Sequence, residues 1–376
     1  MEKSKMDPEQ ILRLKVRLLT EGATLPESEY AGRKGGAGPV GGRYFILPNG
    51  RHCGIPIRRG EMAKRFGSRM LEPTDDPSVW VYDGSIEIRA VPRPKFLNGK
   101  TAEGIPYQQI ALLHCNSTLA TTAYQACKYW DCGAQCKFCT IPTSHLRGDT
   151  ILDKSPEQMA EVVHAAEQSG IITDILITTG TPDSPDMGAN RLVNIIKRIR
   201  EVSDLPIGVQ IEPPIEIETI KKLAAAGANA IGMHIESADD SVRKMMCPGK
   251  YEYGSLDFYR ERWQYALEFF ERGNVSTFML HGLGEEVTST IALTQELADA
   301  GIVPIVAPFR PAPGSQLADF TPTYVGRLEE SVSLYKEVGN ALFQGGINPS
   351  ETMAGCHRCG GCSPIQEAYD WAASRS

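Results

Sequence analysis

Four of the ten cysteines fall within Ala123–Ser144, at Cys127, Cys132, Cys136 and Cys139. Thiolates at this density, with glycine among them and no histidine pair beside them, suit a soft metal centre better than a hydrolytic zinc. Cys132, Cys136 and Cys139 read C-x3-C-x2-C. That spacing holds three irons of a [4Fe–4S] cluster and leaves the fourth iron without a protein ligand. The other readings are a structural zinc knuckle assembled from all four cysteines, or a group of buried thiols.

A second group lies near the end of the chain, at Cys356, Cys359 and Cys362, with Gly355, Gly360 and Gly361 around it. Three cysteines at C-x2-C-x2-C spacing, separated by small residues, form an iron–sulfur signature. A zinc site that adds His357 is the alternative, but neighbouring residues do not easily both reach one tetrahedral ion. The spacing therefore predicts an auxiliary [4Fe–4S] cluster. Its fourth ligand is open among Cys53, Cys115, Cys247, whichever of Cys127 and Cys132 is left over, and substrate. Each lone cysteine, taken by itself, reads as a buried thiol.

The elements that must position these groups follow from periodicity. From Leu119 the chain alternates short apolar runs with amphipathic stretches, the pattern of a parallel βα array. Strands are expected at Leu119–Ala126, Thr173–Thr179, Ile207–Glu212, Ala230–Glu236, Val275–His281 and Val303–Phe309. Helices are expected at Ser155–Gln168, Gly188–Val202, Ile215–Ala226, Phe258–Arg272 and Ser289–Ala300, the first opened by a serine cap and a proline. Six βα units make a partial barrel, whose site lies at the carboxyl ends of the strands. Before it, Pro8–Glu21 has helical periodicity and residues 43–115 carry short β patterns at Arg43–Leu47, Val79–Tyr82, Ile86–Val91 and Ile110–His114. A helix is expected at Arg327–Phe343. The expected fold is thus α/β, a partial (βα)6 barrel with a β-rich N-terminal extension and a C-terminal cysteine tail. The boundaries are residues 1–116, 117–320 and 321–376. A glycine-rich segment, Gly32–Gly42, lacks the lysine-serine pair of a phosphate loop and reads as a lid whose Arg33 and Lys34 face an anion, or as a solvated turn.

The cysteine motif, with Phe138 beside its last cysteine, resembles the radical SAM superfamily. The resemblance implies that S-adenosylmethionine (SAM) chelates the open iron and that Phe138 packs near the adenine. It also gives roles to the strand ends. Thr179 and Gly180 occupy the segment that meets the SAM amino group, and glycine there admits close backbone approach. Glu212 ends the third strand in the same pocket. Glu236 is placed on the ribose hydroxyls and Arg243 on the methionyl carboxylate, while His234 and His281 either pack in the core or line the pocket. His234–Ser237, Pro248–Tyr251 and Gly282–Glu285 look like the lipoyl synthase and biotin synthase branch, and Pro311–Leu317 resembles biotin synthase more.

A narrower likeness runs nearly end to end, through Gly32–Pro39, Gly104–His114 and Ala354–Ser363. These segments are similar to a biotin-synthase-like family with members in nitrilase gene clusters, and to archaeal-type paired lipoyl synthases. In the narrower family the first cluster ligand falls where Cys127 is; Cys132 matches the common spacing.

What the likeness implies is a radical SAM enzyme that makes a 5′-deoxyadenosyl radical and inserts sulfur into an octanoyl-type chain. Its partners would be an electron donor of ferredoxin or flavodoxin type, an octanoylated lipoyl-domain protein and a sister radical SAM protein. The alternative is a nitrilase-linked enzyme that acts on a small molecule without sulfur transfer. An iron–sulfur electron carrier would need no SAM pocket, and the strand-end residues argue against it.

Composition bounds these readings. The chain has 376 residues, 41% hydrophobic and 23% charged, within the ordinary globular range. A net charge of −7 argues against a dedicated nucleic-acid binder. No apolar run approaches the ~20 residues of a membrane span and no signal-peptide core opens the chain, so a cytoplasmic protein is expected. Clustered cysteines there mean metal or redox chemistry rather than disulfides.

Overall fold

The computed structural model describes residues 6–27 and 42–376. The glycine-rich segment and its Arg33–Lys34 pair lie outside the described residues, apart from Gly42.

The helix Pro8–Thr20 starts at a capping box in which Asp7 accepts from the Gln10 N–H and the Gln10 side chain accepts from the Asp7 N–H. Two of its faces are apolar and serve different cores. Leu14, Leu18 and Leu19 pack on a small sheet, whereas Leu12 and Val16 pack into the main core. The small sheet comprises β1 (Ala23–Thr24), β2 (Gly42–Ile46), β3 (His52–Pro56), β4 (Arg69–Pro73), β5 (Val79–Tyr82) and β6 (Ile86–Ala90), ordered β1-β4-β5-β6-β2-β3. Of these, β1, β3 and β4 were not expected: β1 has two residues, β3 three consecutive buried ones and β4 a single buried one, so none alternates clearly. The β2–β3 hairpin turns at Gly50, which has φ 84°.

The large sheet contains β7 (Leu112–His114), β8 (Thr118–Thr122), β9 (Asp174–Thr178), β10 (Ile207–Gln210), β11 (Ala230–Gly232), β12 (Val275–His281) and β13 (Ile302–Pro308). Its order is β13-β12-β11-β10-β9-β8-β7. The six strands from β8 to β13 run parallel, and β7 caps the β8 edge antiparallel. β7 and β13 do not pair with each other, so the barrel is open, as the six βα units imply. The helices Pro156–Gln168, Ala189–Arg200, Glu218–Ala226, Leu256–Ala266 and Val287–Ala300 cover the outside. Ser155 caps the first of them, its hydroxyl accepting from the Gln158 N–H at 3.2 Å.

Three strands end earlier than periodicity suggests, at Thr122, Gln210 and Gly232. After Gln210 come Ile211 and Glu212, then Pro213 and Pro214, which bring no ladder N–H. Glu236 has φ 71°, outside the range of a strand. The residues lost to the strands form the loops that carry the candidate site. The segment expected as a strand at Ile110–His114 divides into a helical turn, Tyr107–Ile110, and β7.

The helices Leu328–Gln344 and Ile365–Ala373 pack on each other and on Pro8–Thr20. At this junction Lys15 and Glu367, both with fully buried side chains, form an ion pair at 2.7 Å. None of the described helices is long and apolar enough to cross a membrane.

An uncompensated buried charge is more harmful than a missing pair. Lys15→Met alone should therefore destabilise the protein by about 3–5 kcal/mol, while the Lys15→Met, Glu367→Met double variant should recover most of the loss. Denaturant midpoints of the two variants check this, and equal losses would reject it.

Candidate functional site

Side chains alternate along a strand, so residues two apart share a face and form layers inside the barrel. Thr122, Thr178 and Gln210 form one inward layer and line a cavity of about 420 Å³. Two residues earlier in the same strands, Ala120, Leu176 and Gly208 form the layer beneath. Here the C-terminal tail enters the barrel. Cys356 packs on Ala120 and Leu176. A Cβ on Gly208 would stand 3.3 Å from both Ala354 Cβ and Gly355 N, so the glycine makes room for the tail. The cavity floor is consequently built by Cys356, Cys359 and Cys362, all three of which line it. Gln210 donates from Nε2 to Cys356 Sγ at 3.2 Å.

The roof comes from the loop after β8. Phe138 and Cys139 line the same cavity. Cys136 is buried in a small apolar group with Val242, Met246 and Cys247, and its hydrogen bond with Cys247, together with burial, holds its thiol well above the usual range. Burial pushes Cys139 up to about 12. Cys132 is exposed, its Sγ donating to the Tyr129 carbonyl at 3.7 Å. Cys127 is half-buried at the start of the helical turn Lys128–Asp131. Burial raises its thiol, and the backbone groups of Tyr129 and Thr181 partly offset that.

The strand ends supply a buried ionic group. Lys250, on the short helix Pro248–Tyr253, lies 2.6 Å from Glu236 and 3.3 Å from Glu212. It also donates to the His234 carbonyl at 3.1 Å. Tyr259 donates to Glu212 at 2.6 Å. Burial opposes the charge on Lys250, but the two carboxylates outweigh it and hold the ammonium well above its usual value. Glu236 lines the cavity and keeps a left-handed backbone that non-glycine residues adopt only when their surroundings enforce it. Burial raises its carboxyl group against the pull of Lys250.

The other expected site residues divide. His234 lines the cavity, accepts from the Phe278 N–H at 3.2 Å, and is held neutral by burial, down to about 3. His281 belongs elsewhere, bonded to Glu285 at 2.9 Å and Ser331 at 3.2 Å. Arg243 is buried and turned to Asp240 at 2.9 Å and to the Gly254 carbonyl at 2.6 Å, and it does not line the cavity. Glu212, Thr179 and Gly180 also lie behind the cavity wall. A Cβ on Gly180 would be 1.9 Å from the Ala126 carbonyl oxygen, so this glycine serves the packing of the β8 loop. His357 is buried under Gly355 and does not share the cavity with the three cysteines.

Sequence reasoning missed Lys250 and Gln210 as site groups. A lysine 14 residues after Glu236 carries no periodic signal; only the placement of the helix Pro248–Tyr253, from which Lys250 reaches Glu236 and the His234 carbonyl, joins the two.

Residues 131–297 match the Radical SAM superfamily, and the chain carries a radical SAM superfamily domain there. The α/β half-barrel is the fold of such enzymes. The chain is 23% identical over 342 residues to a bacteriochlorophyllide c C-7(1)-hydroxylase of Chlorobaculum limnaeum, covering 85% of this chain and 82% of the relative. It is 24% identical over 174 residues to a lipoyl synthase of Parabacteroides distasonis, covering 46% of this chain and 57% of that protein. The solved structure of a methylornithine synthase superposes with a TM-score of 0.46 at 18% identity, over 66% of this chain and 71% of the other.

A domain of this superfamily implies a [4Fe–4S] cluster and SAM. The roof residues fit them. The donors of the roof loop are sulfur only, and burial disfavours the thiolates of Cys136 and Cys139, which a bound metal centre would stabilise. Phe138 and Glu236 face the space beside them. Among the described residues, no three His, Cys, Asp or Glu side chains are gathered as a single metal ion would require.

Cys136→Ala and Cys139→Ala should each abolish reductive SAM cleavage. Cys127 is half-buried and held by Tyr129 and Thr181, whereas Cys132 is exposed with one long 3.7 Å bond to the Tyr129 carbonyl, so Cys132→Ala should also lose the SAM-perturbed EPR signal of the reduced cluster and Cys127→Ala should keep it. The reverse result would move the first ligand to Cys127.

Proposed function

We propose that this radical SAM enzyme forms carbon–sulfur bonds, with the C-terminal cysteines holding a second [4Fe–4S] cluster opposite the first. The observation that carries this reading is the shared cavity, with Phe138 and Cys139 in its roof and Cys356, Cys359 and Cys362 in its floor. When bound, SAM and the first cluster supply a 5′-deoxyadenosyl radical that removes a hydrogen atom from an unactivated carbon, and the second cluster supplies the sulfide, its iron accepting the electron left as the C–S bond forms. The chain itself orients and shields. Phe138 and Glu236 bound the SAM side, Leu176, Phe278 and Leu280 keep the middle apolar, and Arg310 offers a positive charge to the substrate. An apolar, water-poor space protects a reactive intermediate from side reactions.

The lipoyl synthase similarity and the motif resemblance point to an octanoyl-type chain on a lipoyl domain. A ferredoxin- or flavodoxin-type donor would supply electrons, and a sister radical SAM protein would share the task. A second reading is favoured by the hydroxylase relative, which aligns over 85% of the chain. In it the same radical acts on a small molecule, including one of a nitrilase-linked pathway, and no sulfur is transferred.

The test is anaerobic incubation with SAM, a strong reductant, an octanoylated lipoyl-domain peptide and the sister protein. A thiolated peptide should form, at about one event per chain without cluster resupply. Cys356→Ala should still release 5′-deoxyadenosine but yield no thiolated product. A turned-over substrate that gains no sulfur would replace this reading with the second one.

A further inference from the structure

We propose that Cys115 is the fourth thiol of the C-terminal centre, so that Cys115, Cys356, Cys359 and Cys362 together hold the second cluster. The inference rests on reading that centre as iron–sulfur.

Five sequence-distant cysteines are candidates for this place, and the fold separates them. Cys247 lies against Cys136 in the roof. Cys127 and Cys132 belong to the roof loop as well. Cys53 is buried on β3 of the small sheet, close enough to Cys362 for an electrostatic influence. Cys115 is in direct contact: its Sγ lies 3.4 Å from Cys359 Sγ.

Two further features show that the position is built. Cys115 follows β7 in the tight connection closed by the His114–Thr118 pairing of β7 with β8. Its φ is 51°, a left-handed conformation that a cysteine does not adopt without enforcement. On the other side, a Cβ at Gly361 would stand 2.6 Å from Cys115 Sγ. The glycine between Cys359 and Cys362 therefore leaves the space this sulfur occupies. The Gly54 N–H bonds the Gly361 carbonyl at 2.7 Å, which fixes the tail against the small sheet at the same point.

A four-iron cube with four thiolates has no open iron. The second cluster would then meet a substrate through its sulfides and not by binding it at iron, which sets it apart from the three-cysteine cluster in the roof.

The experiment uses the full-length chain with Cys132, Cys136 and Cys139 all changed to alanine, so that remaining iron belongs to the floor. This parent should hold about four irons after anaerobic reconstitution. Adding Cys115→Ala should lower the count to about three or fewer, with a [3Fe–4S] EPR signal or loss of the cluster. Adding Cys115→Ser should keep the irons but change the Mössbauer parameters of one of them. Cys53→Ala, an equally buried thiol, should change neither. If Cys115→Ala and Cys115→Ser both leave count and spectra as in the parent, or if mass spectrometry of the iron-loaded parent finds Cys115 and Cys359 joined as a disulfide, the inference is overturned. A parent that binds no iron, or binds zinc, overturns the second cluster itself and the inference with it. Should Cys115→Ala not fold, the serine variant decides alone.

Discussion

A peptide can enter a barrel of parallel strands only where a layer of inward side chains is nearly absent. The rest of this structure depends on that constraint. Barrel interiors are ordinarily filled by bulky branched residues in stacked layers. Here one layer has Ala120 and Gly208 on either side of Leu176, and the tail around Ala354–Cys356 occupies the space that the two small residues leave. The cysteine triplet thereby becomes the floor of the cavity whose roof is the first cysteine loop. A larger side chain at position 208 would meet Ala354 and the Gly355 backbone.

The tail is held in place by long-range contacts, several of them polar. Lys15 and Glu367 pair without solvent between the first and last described helices. Arg51 bonds Asp370 through two nitrogens at 2.8 Å, in the bidentate geometry that gives arginine its directionality. The small sheet thus acts as a brace for the tail. Its strand β3 provides both Arg51's neighbourhood and the Gly54 contact with Gly361.

Charge in the upper part of the cavity is handled differently. One ammonium, Lys250, serves two buried carboxylates, and only Glu236 turns to the cavity. Glu212 is held behind it by Tyr259. Arrangements of this kind fix an acceptor against a ligand without leaving an unpaired charge in the wall. Arg243 is drawn into the same packing, with Asp240 and the Gly254 carbonyl as its partners, which is why a position just after the strand end did not bring it to the cavity.

Much of this was legible in the sequence by local rules. The six βα units, the Ser155-capped helix and the two cysteine motifs all depend on spacing along a few turns or strands, where periodicity and ligand geometry act directly. The strands β1, β3 and β4 were not, since their residues are placed by neighbours and not by their own pattern. Nor was the end of β11 at Gly232, four residues before the left-handed backbone of Glu236. What the sequence by itself determined is the barrel and the chemical character of its two thiol groups. Only the tertiary structure decided that both groups face one cavity, that Lys250 joins Glu236, and that Cys115 rather than Cys53 or Cys247 meets Cys359. The physical reason is that such contacts span 244 residues for Cys115 and Cys359, and at that separation no local preference acts; the packing of the small sheet, the tail and the barrel layers sets them together.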